Sequence, residues 1–179
     1  MNATHGLPGL RGGDHIGITV PDLEQATTFF VDVLGAEQFY DLGPMASDTD
    51  WMTVHLGVAP DARVERLRFF RLGSGLNVEV FEYTAPGQRT SPPLNSDIGG
   101  HHLALYVDDM DKAVRYLSES GIEVMGEPTV RTSGPSAGQS WVYFRAPWGL
   151  QLELVSYPGG KGYERETDRR LWDPRNPAA

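Results

Sequence analysis

The chain contains the same pattern twice, and each copy carries one histidine and one glutamate at matching places. The first copy begins with DHIGITVPDL at residue 14, and the second begins with HHLALYVDDM at residue 101. Each copy ends in a similar run, which reads GLNVEVFEY over 75–83 and GLQLELVSY over 149–157. An internal duplication predicts two structural modules of the same topology, and this constrains the possible folds more than any single motif.

The first copy is predicted to form a strand, a helix and three further strands. Residues 14–20 alternate apolar and polar side chains, which is typical of a strand with one buried face. A helix is predicted from Pro21 to Leu34, because apolar residues recur there at helical spacing, and Gly35 is expected to end it. The three strands that follow are predicted at 51–56, 63–71 and 76–83.

The second copy repeats this order of elements. A strand at 101–107 leads into a helix at 109–120, which is expected to end at Gly121. The remaining strands are predicted near 122–125, 141–145 and 150–157. Both copies therefore predict a βαβββ module, and the whole chain an α+β fold. Because one face of each sheet packs on its helix, the other face must be covered or must line a cavity.

The segments outside the two copies are rich in glycine, proline or polar residues. The N-terminal segment is expected to be flexible, and the stretch between the copies reads as a linker. We expect one domain with the following parts: a flexible N-terminus over 1–13, a first module over 14–85, a linker over 86–99, a second module over 100–157 and a C-terminal tail over 158–179.

Composition excludes several classes of partner. The 179 residues carry a net charge of −9, whereas nucleic-acid binding requires clustered lysine and arginine. The same charge disfavours an anionic membrane surface, and no apolar run is long enough to span a bilayer. The absence of cysteine excludes disulfides and thiolate metal ligands. Because residues 1–13 also lack the apolar core of a signal peptide, we expect a cytoplasmic protein.

Strand alternation places both histidines and both glutamates on the sheet faces that point away from the helices. His15 and Glu79 alternate with apolar residues in the first copy, and His102 and Glu153 do so in the second. Buried ionisable groups are costly unless they are paired or bind a metal. Two imidazoles and two carboxylates form a donor set that suits Zn, Mn, Ni, Co or Fe(II). The alternative is that the four side chains lie on polar sheet faces open to water.

The order and spacing of these four positions resemble the vicinal oxygen chelate superfamily over about residues 14–157. This superfamily includes glyoxalase I, methylmalonyl-CoA epimerase, extradiol dioxygenases and drug-resistance proteins. The resemblance implies a half-open cup of eight strands with the helices outside. It also implies that His15, Glu79, His102 and Glu153 are metal ligands and that the partner is a small-molecule substrate. The cup could close within one chain or between the two chains of a homodimer.

The resemblance further implies a type of chemistry. In this superfamily a divalent ion chelates two neighbouring substrate oxygens and stabilises the enediolate that forms when the adjacent C–H loses its proton. This suits an epimerase or isomerase that acts on a small hydroxy-ketone. Glu153 is the first candidate for the base and Glu79 the second. His55, or Tyr106 on the same face as His102, could supply the acid on the opposite side.

Other functions remain open within the resemblance. The tail that begins at Ser156 is similar to that of a subgroup of epimerases acting on epi-valiolone, which makes such a cyclitol a candidate substrate. A glyoxalase I-type lyase and a non-catalytic drug-binding protein are the alternatives. An extradiol dioxygenase is disfavoured, because a fourth ligand at Glu79 would crowd the open positions of a two-histidine, one-carboxylate site. The full set of four ligands disfavours the drug-binding proteins.

Overall fold

Eight strands form two sheets of four, one in each half of the chain. The computed structural model describes residues 7–178. The predicted α+β fold of two tandem βαβββ modules is confirmed. Residues 7–13 are exposed and contain neither helix nor strand, whereas the rest of the predicted flexible segment, 1–6, lies outside the described residues. Between 7 and 178, no helix combines the length and the apolar character needed to cross a lipid bilayer.

The first sheet has the strand order β1-β4-β3-β2, with β1 parallel to β4 and the other pairs antiparallel. The strands of this module are β1 (His15–Val20), β2 (Glu37–Leu42), β3 (Arg63–Leu72) and β4 (Leu76–Thr84). Its helices are α1 (Leu23–Thr28), which continues as a π-helical segment (Phe29–Val33), and α2 (Trp51–Leu56).

The second sheet repeats this arrangement in the order β5-β8-β7-β6, again with its first and last strands parallel. Its strands are β5 (Leu103–Tyr106), β6 (Val124–Val130), β7 (Ser140–Arg145) and β8 (Gln151–Ser156), and its helix is α3 (Met110–Glu119). A short 3₁₀ helix (Gly162–Arg165) follows in the C-terminal tail.

The two modules begin and end their first helix by the same means. Asp22 caps α1 by accepting hydrogen bonds from the backbone N–H groups of the first turn, and Asp109 caps α3 in the same way. Gly35 and Gly121 follow the two helical segments with φ angles of +70° and +75°, which glycine adopts without a steric penalty. The predicted helix ends are therefore confirmed.

The strand predicted at 51–56 is wrong, because this segment forms helix α2. Met52 is buried against the first sheet, whereas Val54 and Leu56 are exposed, so the apolar run has only one buried side. Gly57 ends the helix with a φ of +65° and donates its N–H to the carbonyl of Thr53. A six-residue apolar run is compatible with a strand or a helix by periodicity alone.

The remaining strand of the first module is β2, which the sequence did not predict. Every residue of β2 is exposed, because it is the edge strand of its sheet. Its polar side chains pair with β3 instead of entering a core: Arg68 donates to both carboxylate oxygens of Asp41, at 2.6 and 2.5 Å. Such a strand lacks the alternation of apolar residues that identifies a half-buried strand.

One apolar core joins the two modules. Phe29 and Phe30 of the π-helical segment lie 5.4 and 6.1 Å from the ring of Trp148, which precedes β8. Tyr116 of α3 donates a hydrogen bond to the carbonyl of Asp32 at 3.2 Å. Both sheets contribute buried residues to this core: Ile18, Val20, Phe70, Val78 and Val80 from the first, and Val142, Phe144, Leu152 and Leu154 from the second.

This shared core determines where the polar faces of the sheets point. Adjacent residues on a strand face opposite sides, so a strand that directs Val78 and Val80 into the core directs Glu79 away from it. The same holds for Glu153 between Leu152 and Leu154. Each module therefore presents its polar face outward from the core that holds the two modules together.

Candidate functional site

The first module brings its histidine and glutamate together. Nε2 of His15 lies 3.3 Å from Oε2 of Glu79, across the parallel strands β1 and β4. The residue opposite Glu79 in this register is Gly17, where an added Cβ would lie 3.8 Å from that carboxylate oxygen. Nδ1 of His15 hydrogen-bonds Oδ2 of Asp14 at 2.7 Å, which orients Nε2 toward Glu79.

The second module forms an equivalent and tighter pair. Nε2 of His102 lies 2.9 Å from Oε2 of Glu153, which is only 8% exposed. Nδ1 of His102 lies 3.4 Å from the amide nitrogen of Asn95, in the linker. An aromatic ring from the middle of each sheet meets the imidazole edge-on: Phe69 contacts His15 at 5.6 Å and Tyr143 contacts His102 at 5.1 Å.

Both glutamates lie in surroundings that disfavour an isolated negative charge. Burial raises the pKa of Glu79, and the nearby His15 opposes this only in part. Burial likewise raises the pKa of Glu153 against the opposing effect of His102. The hydrogen bond to Asp14 raises the pKa of His15. Desolvated carboxylates beside imidazole nitrogens are suited to a divalent cation, which would stabilise their charged form.

The four predicted ligands thus lie in two pairs, one on the polar face of each module. In the part of the chain that the structure describes, no three His, Cys, Asp or Glu side chains form a group that could hold one metal ion. The chain by itself therefore supplies two half-sites, each with one imidazole and one carboxylate.

The two predicted acid candidates have different surroundings. His55 is exposed on α2, where its ring stacks on Trp51 at 4.7 Å and its Nδ1 lies 3.0 Å from the Trp51 carbonyl. The structure therefore does not group His55 with either pair. Tyr106 lies on β5, and its ring contacts Tyr157 edge-on at 4.9 Å. Its hydroxyl is buried and has no hydrogen-bond partner within residues 7–178. Burial, reinforced by Asp108, raises its pKa.

A cavity of about 750 Å³ lies along β5 and extends onto the polar face of the second sheet. This volume is in the range of small-molecule sites. Tyr106 and Glu153 both line the cavity, and the polar residues Gln139 and Lys161 line it with them. Lys161 was not predicted, because a single lysine in a polar tail carries no periodic signal.

Comparison with known proteins places this geometry in a family. The glyoxalase/bleomycin resistance protein/dioxygenase superfamily matches residues 14–144. The chain belongs to this superfamily. The match begins one residue before His15 and contains the first pair together with His102, which agrees with the resemblance that the four positions indicated.

Several relatives within the superfamily are epimerases. The chain is 49% identical over 170 residues to 2-epi-5-epi-valiolone epimerase of Actinomyces sp, covering 94% of this chain and 92% of that protein. It is 31% identical over 124 residues to ethylmalonyl-CoA/methylmalonyl-CoA epimerase of Cereibacter sphaeroides, covering 68% and 81% of the two chains. The fold is also similar to the fosfomycin resistance protein FosX of Listeria monocytogenes, in its crystal structure with Mn(II) and sulfate: the TM-score is 0.53, with 21% identity and coverage of 88% and 99%.

Proposed function

We propose that this protein is a metal-dependent epimerase that acts on a small cyclic hydroxy-ketone of the 2-epi-5-epi-valiolone type. The observation that carries the proposal is the duplicated pair of one imidazole and one buried carboxylate in each module. The 49% identity to 2-epi-5-epi-valiolone epimerase over nearly the whole chain supports the reaction type and the substrate class.

The metal would be held by His15, Glu79, His102 and Glu153. Nitrogen and carboxylate donors without thiolates suit Zn, Mn, Ni, Co or Fe(II), and the residues fit such an ion because both carboxylates are desolvated. When bound, the ion would polarise a substrate carbonyl and stabilise the negative charge that develops on proton loss.

Glu153 is the ligand that we assign as the base, a role in which its carboxylate would leave the metal. It is the more deeply buried of the two glutamates and lines the cavity, so its carboxylate can face a bound C–H group. Its raised pKa brings it closer to the range in which a carboxylate accepts a proton efficiently near neutral pH. Tyr106 is the better supported partner acid, because it lines the same cavity, whereas His55 is exposed on α2. Glu79 would remain a ligand.

We further propose that a complete site forms between two copies of the chain. Each copy holds its half-sites on faces turned away from its own core, so the first module of one chain can meet the second module of its partner. Strands β1 and β5, which carry or adjoin the histidines, are both end strands of their sheets. The first module also exposes a set of large apolar side chains that a second copy could cover: Phe39, Tyr40, Leu42, Met45, Trp51, Val54 and Leu56.

Co-expression of two inactive variants tests this sharing. His15→Ala and His102→Ala should each inactivate both sites of a homodimer. In a mixed dimer one site receives both substitutions and the other receives none. Random pairing makes half of the dimers mixed, so we expect about a quarter of the wild-type activity to return. Sites formed within single chains would show no recovery, and two copies of the same variant provide the control.

Solvent exchange tests the epimerase assignment itself. We expect purified protein to hold about one divalent ion per chain and to transfer deuterium from D₂O into the C–H next to the carbonyl of 2-epi-5-epi-valiolone. Chelation should stop the exchange, and the same ion should restore it. Elemental analysis and NMR of the product measure both results. Full exchange in metal-free protein, or a product without an inverted carbon, would contradict the assignment.

A further inference from the structure

A positively charged side chain from the C-terminal tail reaches the polar face of the second sheet. Lys161 precedes the short 3₁₀ helix, and its Nζ lies 4.1 Å from the centroid of the Tyr157 ring. Its side chain is half-buried and lines the cavity that also contains Glu153 and Tyr106. The tail therefore places a cation near the carboxylate of one half of the candidate metal site.

The backbone around Lys161 is held from both sides, so the position of this cation is built into the fold. The N–H of Lys161 donates to Oε1 of Glu164 at 2.9 Å, and the N–H of Gly162 donates to the carbonyl of Ala137 in the β6–β7 loop at 2.9 Å. Further along the tail, Arg175 donates to the Tyr157 carbonyl at 2.7 Å. These contacts fix the backbone from which the Lys161 side chain enters the cavity.

The Lys161 ammonium group forms no direct ion pair among the described residues. Within residues 7–178, no carboxylate oxygen lies within 4.0 Å of its Nζ. The Glu164 carboxylate accepts from the Lys161 backbone instead, and Asp173 binds Arg175. Burial lowers the pKa of Lys161 most. The charges of Glu164, Asp173 and Glu153 oppose this shift, and the Arg175 guanidinium adds to it. The face of the Tyr157 ring offsets part of this cost, but a ligand that supplied a hydrogen-bond acceptor would stabilise the half-buried ammonium group further.

A second polar group of the cavity, the Tyr106 hydroxyl, also lacks a hydrogen-bond partner among the described residues. This hydroxyl is buried, although buried hydroxyl groups are nearly always satisfied. The Tyr106 ring contacts the Tyr157 ring edge-on, and the Lys161 ammonium group lies over the face of the same Tyr157 ring. Tyr106 and Lys161 are therefore both neighbours of Tyr157. Gln139, which lines the same cavity, adds an amide. Three polar side chains thus line the cavity that also contains Glu153.

We infer that Lys161 and Tyr106 form a subsite that binds the hydroxyl oxygens of the substrate ring remote from the oxygens held by the metal. The inference rests on the proposed function and names the residues that would select a polyhydroxylated ring. The ammonium group only donates hydrogen bonds, whereas the phenol both donates and accepts, so together they match the two roles of an alcohol oxygen. Holding the far side of the ring would set which C–H faces Glu153.

The test replaces Lys161 by methionine, which keeps the length of the side chain and removes its charge. We expect kcat/KM for 2-epi-5-epi-valiolone to fall by about 10- to 100-fold, mostly through a higher KM, as expected for loss of a charged hydrogen bond. Calorimetry should show weaker binding by a similar factor. Metal content should stay at the wild-type level, because Lys161 is not a ligand. Lys161→Arg should recover part of the binding.

The chain provides a matched control in its other lysine. Lys112 is exposed on α3, so Lys112→Met should leave kcat, KM and binding unchanged. Tyr106→Phe removes only the hydroxyl group. Because Tyr106 is also the proposed partner acid, we expect this variant to lower kcat as well as to weaken binding, whereas Lys161→Met should act mostly on KM. Thermal unfolding of every variant verifies that the fold is kept.

The outcomes separate this inference from the proposed function. If wild-type protein binds the polyhydroxy ketone without epimerising it, the proposed function fails, and weaker binding by Lys161→Met still supports the subsite. If wild-type protein epimerises the ketone and Lys161→Met binds and turns it over equally well, the subsite is overturned alone. Wild-type protein that neither binds nor epimerises the ketone overturns both.

Discussion

Replacing Glu153 by glutamine is expected to lower kcat by about 10²–10⁴-fold while the protein stays folded. The carboxylate is almost completely buried and lies 2.9 Å from Nε2 of His102, beside the cavity. Glutamine has nearly the same shape but cannot accept the proton, and it is a weaker ligand than a carboxylate. The substitution therefore removes the proposed base and weakens one half-site, without leaving a cavity.

The rate of deuterium incorporation into the substrate measures this effect directly. Glu127→Gln is the matched control, because Glu127 is exposed on β6 in the same module. We expect it to retain wild-type exchange. Thermal unfolding and elemental analysis then distinguish loss of the base from loss of the fold or of the metal. A Glu153→Gln enzyme with wild-type kcat would remove Glu153 from the chemistry.

Replacing Phe30 by alanine is expected to lower the free energy of unfolding by about 3–5 kcal/mol. The side chain is fully buried in the π-helical segment. Its ring stacks on Phe70 of the first sheet at 5.2 Å and lies 6.1 Å from Trp148 of the second module. Truncation would leave a cavity where the two modules meet, so both modules should lose stability together rather than one alone.

Urea-induced unfolding followed by tryptophan fluorescence and by circular dichroism tests this expectation. Phe39→Ala serves as the comparison, because Phe39 is 55% exposed on the edge strand β2 and should cost less than about 1 kcal/mol. We expect both probes to report a single shifted transition for Phe30→Ala. Independent unfolding of the two modules, with only the first destabilised, would contradict the shared core.

The architecture was predictable because it is repeated and because each repeat is marked by local chemistry. Asp22 and Asp109 cap the first helix of each module, and Gly35 and Gly121 follow with positive φ angles. These signals depend on a few neighbouring residues, so they can be recognised in the sequence alone. The alternation around Glu79 and Glu153 is equally local, and it placed both carboxylates on the correct face.

Two elements of the first module were not predictable from local pattern. The segment 51–56 forms a helix because Met52 finds a buried position on the first sheet and Gly57 ends the turn. Strand β2 forms because Asp41 and its neighbours pair with β3, far along the chain. In both cases the deciding contacts join residues that are distant in sequence, which outweigh weak local preferences.

The candidate site likewise has features that the sequence determines and features that only the tertiary structure determines. The sequence by itself determined the duplication, the topology of each module and the face on which each histidine and glutamate lies, because strand alternation and helix capping act over a few residues. Only the tertiary structure decided that these residues meet as two pairs and that Lys161 lies beside Glu153. Both results depend on how the modules share one core and on how the tail folds back, which are long-range packing choices that no local pattern encodes.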